Sequence, residues 1–328
     1  MPDGILNLNK PRGPTSHDVV NRIRALTGIR RVGHAGTLDP LATGVLLVCI
    51  GRATRVTEYL MAGQKAYRAR VRLGITTDTY DAEGQVVAEA VVEVSRAQVE
   101  ASLARFRGTI TQVPPLYSAI KYKGTPLHRL ARRGVEVGSL SLKARRLEIF
   151  RLELTDWEPP ECTLEVTCSP GTYVRALAHD LGQALGCGAH LAGLTRLASG
   201  NFRLEDAVTL EEFAQAVSEG CWPDLLHPID AAITRFPALH LDADAARRVC
   251  SGQAVEVWEC GGVRVEAGGR DEVVGLARAY GPDGTFLALV AYDPAADVWR
   301  PRKVFCARYP EPRPESVEGP IGGPEHFL

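Results

Sequence analysis

The residues best placed to do chemistry lie in the run Gly33-His34-Ala35-Gly36-Thr37-Leu38-Asp39-Pro40-Leu41-Ala42-Thr43-Gly44. Three glycines and a proline fix this stretch as a loop, and it leads straight into the apolar run 45–50, which reads as a buried strand. Pro40 biases Asp39 toward an extended backbone. One carboxylate is thereby mounted rigidly at the mouth of a strand, a good place for a nucleophile or a general base. Asp-Pro also makes ordinary turns, so these residues alone leave both readings open.

Other chemistry is harder to place. Tyr67 falls on the apolar face of an alternating stretch, where core packing is the simplest reading, and Arg175 looks like a cation at a helix start. The sequence holds no glycine-rich phosphate loop, dinucleotide fingerprint or H-E-x-x-H pair, so no metal and no cofactor is expected. The eight cysteines form no C-x-x-C pair and are spread along the chain, which reads as reduced, mostly buried thiols of a cytoplasmic protein. No apolar stretch is long enough to span a bilayer, and the N-terminus lacks the flanks of a signal peptide.

Net charge is −1, yet the charges are segregated. Residues 121–151 carry Lys121, Lys123, Arg129, Arg132, Arg133, Lys143, Arg145, Arg146 and Arg151 against only Glu136 and Glu148. Residues 10–34 carry six Lys or Arg against one acid, whereas 204–234 hold seven carboxylates and no Lys or Arg. Such a distribution suits a positive face that tracks a phosphate backbone, or two plain solvated basic surfaces.

The elements that must position Asp39 follow from periodicity and punctuation. Residues 5–8 read as a strand, 10–14 as a turn with two prolines, and Thr15 with Asp18 as a capping box opening a helix that ends at Gly28. Residues 54–61 read as a helix closed by Gly63. Residues 65–73 alternate, with Tyr67, Ala69, Val71 and Leu73 on one face and Arg68, Arg70 and Arg72 on the other. Ser95 with Gln98 caps another helix, strands are expected at about 142–154 and 162–168, and helices at about 173–185 and after Thr209. A boundary near 234–237 precedes one helix (242–250) and short β-like runs divided by glycines, the pattern of a small barrel or sandwich. Mixed strands and helices without a strict βαβ rhythm imply an α+β fold.

Several of these stretches together resemble the TruB family of pseudouridine synthases. Residues 33–44 are similar to its catalytic motif, G-H-x-G-x-L-D-P-x-A-x-G. Collinear matches are Lys10-Pro11-x-Gly13-x-Thr15-Ser16, Lys65-Ala66-Tyr67 and Gly74-x-x-Thr77-x-Thr79-x-Asp81-x-x-Gly84. Gln112-x-Pro114-Pro115-x-Tyr117-Ser118-Ala119-x-Lys121 and Cys168-Ser169-x-Gly171-Thr172-Tyr173-Val174-Arg175 extend them. The resemblance covers about residues 4–203.

It implies a tRNA pseudouridine-55 synthase that isomerises the T-loop uridine by base flipping, with Asp39 as nucleophile. It also implies that Arg175 keeps Asp39 ionised, that Tyr67 stacks on the base and moves a proton at C5, and that Tyr173 packs beneath the base or hydrogen-bonds to the Asp39 and Arg175 pair. By the same resemblance His34 fills the vacated stacking position, Leu194 lines the uracil pocket, and Lys10 and Pro11 support the catalytic segment. Thr195-Arg196 stands where the family often has two basic residues.

The implied architecture is a catalytic domain over 1–235 with a pseudouridine-synthase-like mixed sheet, and a PUA-like RNA-binding barrel over 236–310. A basic RNA-clamping insert at about 121–151 includes Arg129, Arg132 and Arg133 on the RNA backbone, and a disordered tail spans 311–328. The expected partner is the tRNA T-arm, with no obligate protein partner, no membrane and a monomeric, cytoplasmic enzyme. Two other readings stand beside it. One is the guide-RNA-dependent relative of archaea and eukaryotes; the other is a non-catalytic tRNA-binding or folding chaperone, against which Asp39, Tyr67 and Arg175 all count. An unrelated carboxylate hydrolase would need a second acid, and the sequence places none beside Asp39.

Overall fold

The computed structural model of the chain describes residues 2–115, 117, 121–122, 124–127, 144–258 and 275–307. These fall into two compact units, Met1–Ala232 and Ile233–Leu328. Arg129, Arg132, Arg133 and the 311–328 tail lie outside the described residues.

The first unit opens with β1 (Gly4–Lys10), helix α1 (Ser16–Thr27), β2 (Val32–Ala35) and β3 (Ala42–Ile50). The helix expected over 54–61 divides into a 3-10 segment at Gly51–Val56 and a short α2 (Thr57–Met61). Then come β4 (Lys65–Leu73), a ribbon of β5 (Ile75–Thr77) and β6 (Val86–Glu89), α3 (Arg96–Leu103) and β7 (Gly108–Gln112). Two-residue strands β8 (Lys121–Tyr122) and β9 (Thr125–Pro126) precede β10 (Arg145–Glu158) and β11 (Glu161–Cys168). Helix α4 (Val174–Leu185), β12 (Ala189–Ser199), β13 (Phe202–Arg203), α5 (Leu210–Glu219) and β14 (Leu226–His227) complete the unit.

Local chemistry sets the helix starts. Thr15, Ser95 and Thr209 each accept a bond from the backbone three residues on, and Asp18, Gln98 and Glu212 return it. Gly28 ends α1 and Gly186 ends α4, both in the left-handed conformation.

The strands form a ten-stranded mixed sheet whose main path runs β14-β1-β3-β12-β4-β11-β10-β7. β3 is buried along nearly its whole length. β1 pairs with all of one edge, Gly4 opposite Ile50 through Lys10 opposite Gly44. The other edge is shared: β12 runs parallel to it at Ala42–Gly44, and β2 antiparallel from Leu47 to Ile50. β4 keeps the expected alternation, with Tyr67, Ala69, Val71 and Leu73 in the core. Its arginines meet β11 on the open face, Arg68 with Glu165 at 2.9 Å and Arg70 and Arg72 with Glu161 at 3.3 and 3.5 Å. Exposed pairs of this kind each contribute at most about 1 kcal/mol, so the buried face carries the sheet.

Two elements depart from the sequence expectation. Residues 33–35 belong to β2 and 42–44 to β3, so the expected loop shrinks to 36–41. β12, which contains Leu194, is an 11-residue strand that no clear alternation announces.

The second unit contains β15 (Ala238–His240), α6 (Ala243–Cys250), β16 (Val255–Glu256), β17 (Leu276–Tyr280), β18 (Phe286–Asp293) and β19 (Val298–Val304). Where the sequence predicts a small barrel, its described residues form one five-stranded sheet in the order β15-β17-β18-β19-β16, packed on α6. The cysteine expectation needs correcting here: Cys250 and Cys306 are joined in a disulfide, their Cα atoms 5.7 Å apart. Cys49, Cys162, Cys168 and Cys187 are buried free thiols, and Cys221 is an exposed one.

Candidate active site

Residues 36–41 leave the sheet where β2 and β12 share the edge of β3, and Asp39 lies at the crest. Three contacts cinch this loop to the start of the chain. Ser16 Oγ donates to the Leu38 carbonyl (3.0 Å) and accepts from the Leu38 amide (2.8 Å), and the Gly13 amide donates to the Pro40 carbonyl (2.9 Å). Gly13 and Ser16, in the same segment as Lys10 and Pro11, thus tie the loop down. Lys10 itself is fully buried, and its ammonium donates to the Pro11 carbonyl at 2.8 Å. Burial lowers its pKa to about 8, against the opposing pull of Asp39 and Glu83.

Arg196 holds the loop from the sheet side. Only 1% exposed, it donates to the carbonyls of Val45 (2.6 Å), Gly36 (3.2 Å) and Thr37 (3.5 Å). Gly44 allows this approach: its φ is +96°, and a Cβ there would collide with the Arg196 backbone. Arg196 also hydrogen-bonds the side chain of Tyr67, its cross-strand neighbour.

Arg175 organises the site. It projects from the first turn of α4 with its side chain 7% exposed, and its Nε meets Asp39 Oδ2 at 3.0 Å. Nη1 meets Asp81 Oδ2 at 3.3 Å and the Thr79 carbonyl at 3.2 Å, and Nη2 donates to the Tyr117 carbonyl at 2.7 Å. Its three nitrogens are therefore all engaged. Asp81 is buried, with Thr79 Oγ1 donating to its Oδ1 at 2.6 Å. A second carboxylate thus stands beside Asp39, contrary to the sequence expectation that none does. It is ion-paired and hydrogen-bonded, and it arrives from 42 positions along the chain.

The Asp39 side chain keeps 40% of its surface open. Its pKa is raised above the ordinary aspartate value, first by desolvation and then by Asp81, while Arg175 and Lys10 pull it down. It is a partly accessible carboxylate, held in direction by a guanidinium and flanked by a like charge.

The other expected residues lie on β2, β4, β12 and the start of α4. Tyr67 is 9% exposed, and burial first of all raises its pKa. His34, on β2 opposite Val48, is half-buried, and burial and then Arg196 depress its pKa, favouring the neutral ring. Leu194 pairs with Ala42 on one side and Ala69 on the other. Tyr173 caps the start of α4, where the Gln112 amide accepts from its N–H (2.8 Å) and donates to its carbonyl (3.0 Å). Asp81, Arg196, Gln112 and Ser16 are the residues that motif reading passed over. Asp81, Gln112 and Ser16 lie within matched motifs, but nothing local marks them as bonded to Arg175, Tyr173 or Leu38.

Comparison with known proteins adds to this geometry. Residues 24–174 match the family model described as TruB family pseudouridylate synthase (N terminal domain), and 175–234 match tRNA pseudouridylate synthase B C-terminal domain. The chain is 50% identical over 251 residues to the tRNA pseudouridine synthase B of Syntrophotalea carbinolica, covering 76% of this chain and 81% of that one. To the protein of the same name in Dehalococcoides mccartyi strain CBDB1 it is 39% identical over 312 residues, 94% of this chain and 99% of the other. A solved structure of an H/ACA RNP bound to a substrate RNA containing 2'-deoxyuridine superimposes with a TM-score of 0.71 at 26% identity, covering 94% of this chain and 87% of that one.

Proposed function

The chain belongs to the TruB family of pseudouridylate synthases, and from that premise we propose how its site carries out the isomerisation. Its activity is that of a tRNA pseudouridine synthase. The reaction breaks the bond from C1′ to N1 of a uridine, turns the base and rejoins it through C5. A carboxylate that forms a covalent adduct with the sugar or the base divides this hard step into easier ones. Asp39 is that nucleophile. The observation that carries the assignment is the 3.0 Å pair from Arg175 to a carboxylate that stays 40% open: held and accessible.

The remaining roles are those that the family resemblance implies. The base leaves its stack before any bond changes, and His34, neutral and half-buried, fills the space it vacates. Tyr67 stacks on the flipped base and moves the C5 proton, with Arg196 fixing its phenol. Tyr173 packs beneath the base, and Leu194 lines its pocket. Lys10 and Pro11 support the catalytic loop from the chain start.

The substrate we assign is the T-loop uridine at the pseudouridine-55 position, bound through the tRNA T-arm by a monomeric enzyme acting in the cytoplasm. Arg129, Arg132 and Arg133 track the RNA backbone. We read residues 1–235 as the catalytic domain and 236–310 as a PUA-like RNA-binding domain. The second unit's aromatic row supports the latter, with His240 stacked on Tyr280 (5.7 Å) and the Arg278 guanidinium 5.6 Å from the Tyr280 ring. Identity of 38–50% to enzymes named tRNA pseudouridine synthase B favours the stand-alone reading over the guided one.

A minimal T-arm stem-loop separates these readings. In EDTA, with no second RNA, it should be modified at its loop uridine, and moving that uridine by one position should prevent the reaction. A stem-loop that stays inert until a guide RNA is supplied would replace the stand-alone reading with the guided one.

A further inference from the structure

Tyr80 stands between the two residues that hold Arg175 from below. Thr79 gives its carbonyl to Arg175 Nη1 and its hydroxyl to Asp81, and Asp81 gives its carboxylate to the same nitrogen. The backbone of Tyr80 has φ +64°, a left-handed conformation that tyrosine rarely adopts, and only Asp297 shares it among the described non-glycine residues. A tyrosine held there needs surrounding contacts that over-determine it.

Those contacts are visible. The Tyr80 carbonyl accepts from the Leu191 amide at 3.0 Å, tying the loop to β12. Its ring lies flat on His179, centroids 3.9 Å apart and planes 16° from parallel. His179 is four residues beyond Arg175 on α4, so the two side chains share one face of the helix, one turn apart. The loop therefore grips α4 at two successive rungs, through the guanidinium and through the imidazole.

We propose that Tyr80 is a positioning residue for the isomerisation: its ring, clasped on His179, holds residues 79–81 in the left-handed turn that fixes Arg175 against Asp39. The inference rests on the reading of Asp39 as nucleophile. Without the ring, a non-glycine residue at position 80 relaxes to negative φ, and the Thr79 carbonyl and Asp81 carboxylate swing away from Arg175. A glycine also lacks the ring but adopts φ +64° freely. The clasp thus makes an unusual demand on the order of variants: Tyr80→Phe keeps the rate, Tyr80→Gly lowers it modestly, and Tyr80→Ala lowers it most.

Single-turnover pseudouridine formation and tRNA affinity, measured on the full chain, test this. Tyr80→Ala should lose about 100-fold in rate, the scale of a 1 Å misplacement, with affinity changed by about threefold at most. Tyr80→Gly should lose about tenfold or less. His179→Ala should fall with Tyr80→Ala, His179→Phe should recover most of the rate, and Tyr80→Ala/His179→Ala should be no slower than Tyr80→Ala alone, because both remove one contact. Should Tyr80→Ala not fold, the pair His179→Ala and His179→Phe reads the same clasp from the helix. A Tyr80→Ala enzyme that melts lower but reacts at the wild-type rate, or a glycine variant slower than the alanine one, overturns the proposal. Asp39→Asn in parallel keeps the two ideas apart. An inactive Asp39→Asn beside a fully active Tyr80→Ala removes the clasp and leaves the nucleophile, whereas an active Asp39→Asn removes both.

Discussion

Asp39 and Asp81 lean on one guanidinium, so the charge of Asp81 bears on the ionisation of Asp39. Asp39 titrates above the ordinary aspartate value because it is desolvated and because Asp81 repels its charge. If Asp39 is the nucleophile it must be ionised, so the single-turnover rate should fall as pH drops through that raised value. Asp81→Asn removes the repulsion and leaves Arg175 to Asp39, and both changes favour the ionised form. The acid limb of the rate profile should therefore move to lower pH, while the plateau falls about tenfold or more as Arg175 loses its anchor. A limb that stays in place or moves upward would contradict this coupling. Asp39 itself was legible in the sequence, as a carboxylate fixed by Pro40 among glycines, and Arg175 and Tyr67 became so through their motifs. Asp81, Gln112, Ser16 and Arg196 were not, because their roles are long-range bonds, such as Arg196 to a carbonyl 151 residues away. Residue type and spacing carry no trace of such pairings.

The elements that deliver these residues are held to close tolerances. Helix α4 packs against the start of β12 at Gly182, where an added Cβ would run into the backbone of Gly188 and Ala189. Gly182→Ala should therefore push α4 off the sheet, costing about 1–3 kcal/mol of stability and lowering the isomerisation rate by moving Arg175. A variant with unchanged melting and rate would show that the contact yields without consequence. Strong periodicity and caps made the elements around the site readable: β4 alternates residue by residue, and the expected capping boxes at Thr15, Ser95 and Thr209 all form. β2 and β12 escaped notice for a physical reason. β2 is four residues long, and β12 is interrupted by Gly193 and shifts register against β4 twice. Neither can show a clean period, although together they frame the loop that bears Asp39.

At the scale of the whole molecule, the chain divides its charge between regions that sequence composition already marks. The α+β class was legible from punctuation, whereas the Cys250–Cys306 disulfide was not, since the two are 56 positions apart and belong to no motif. If the basic 121–151 segment grips RNA phosphates, replacing Arg129, Arg132 and Arg133 with Ala should weaken tRNA binding and flatten its salt dependence by about one unit of slope per lost contact. An unchanged slope would mean that these arginines do not meet phosphate. The most direct test of the whole account uses unmodified tRNA, the pure protein and EDTA, with pseudouridine mapped along the full transcript for the wild type and Asp39→Asn side by side. The account predicts one pseudouridine, in the T-loop, for the wild type. For Asp39→Asn it predicts a rate lower by about four orders of magnitude or more, with tRNA affinity held within about threefold. Comparable turnover by the Asn variant, or no modification by the wild type without an added RNA, would contradict it.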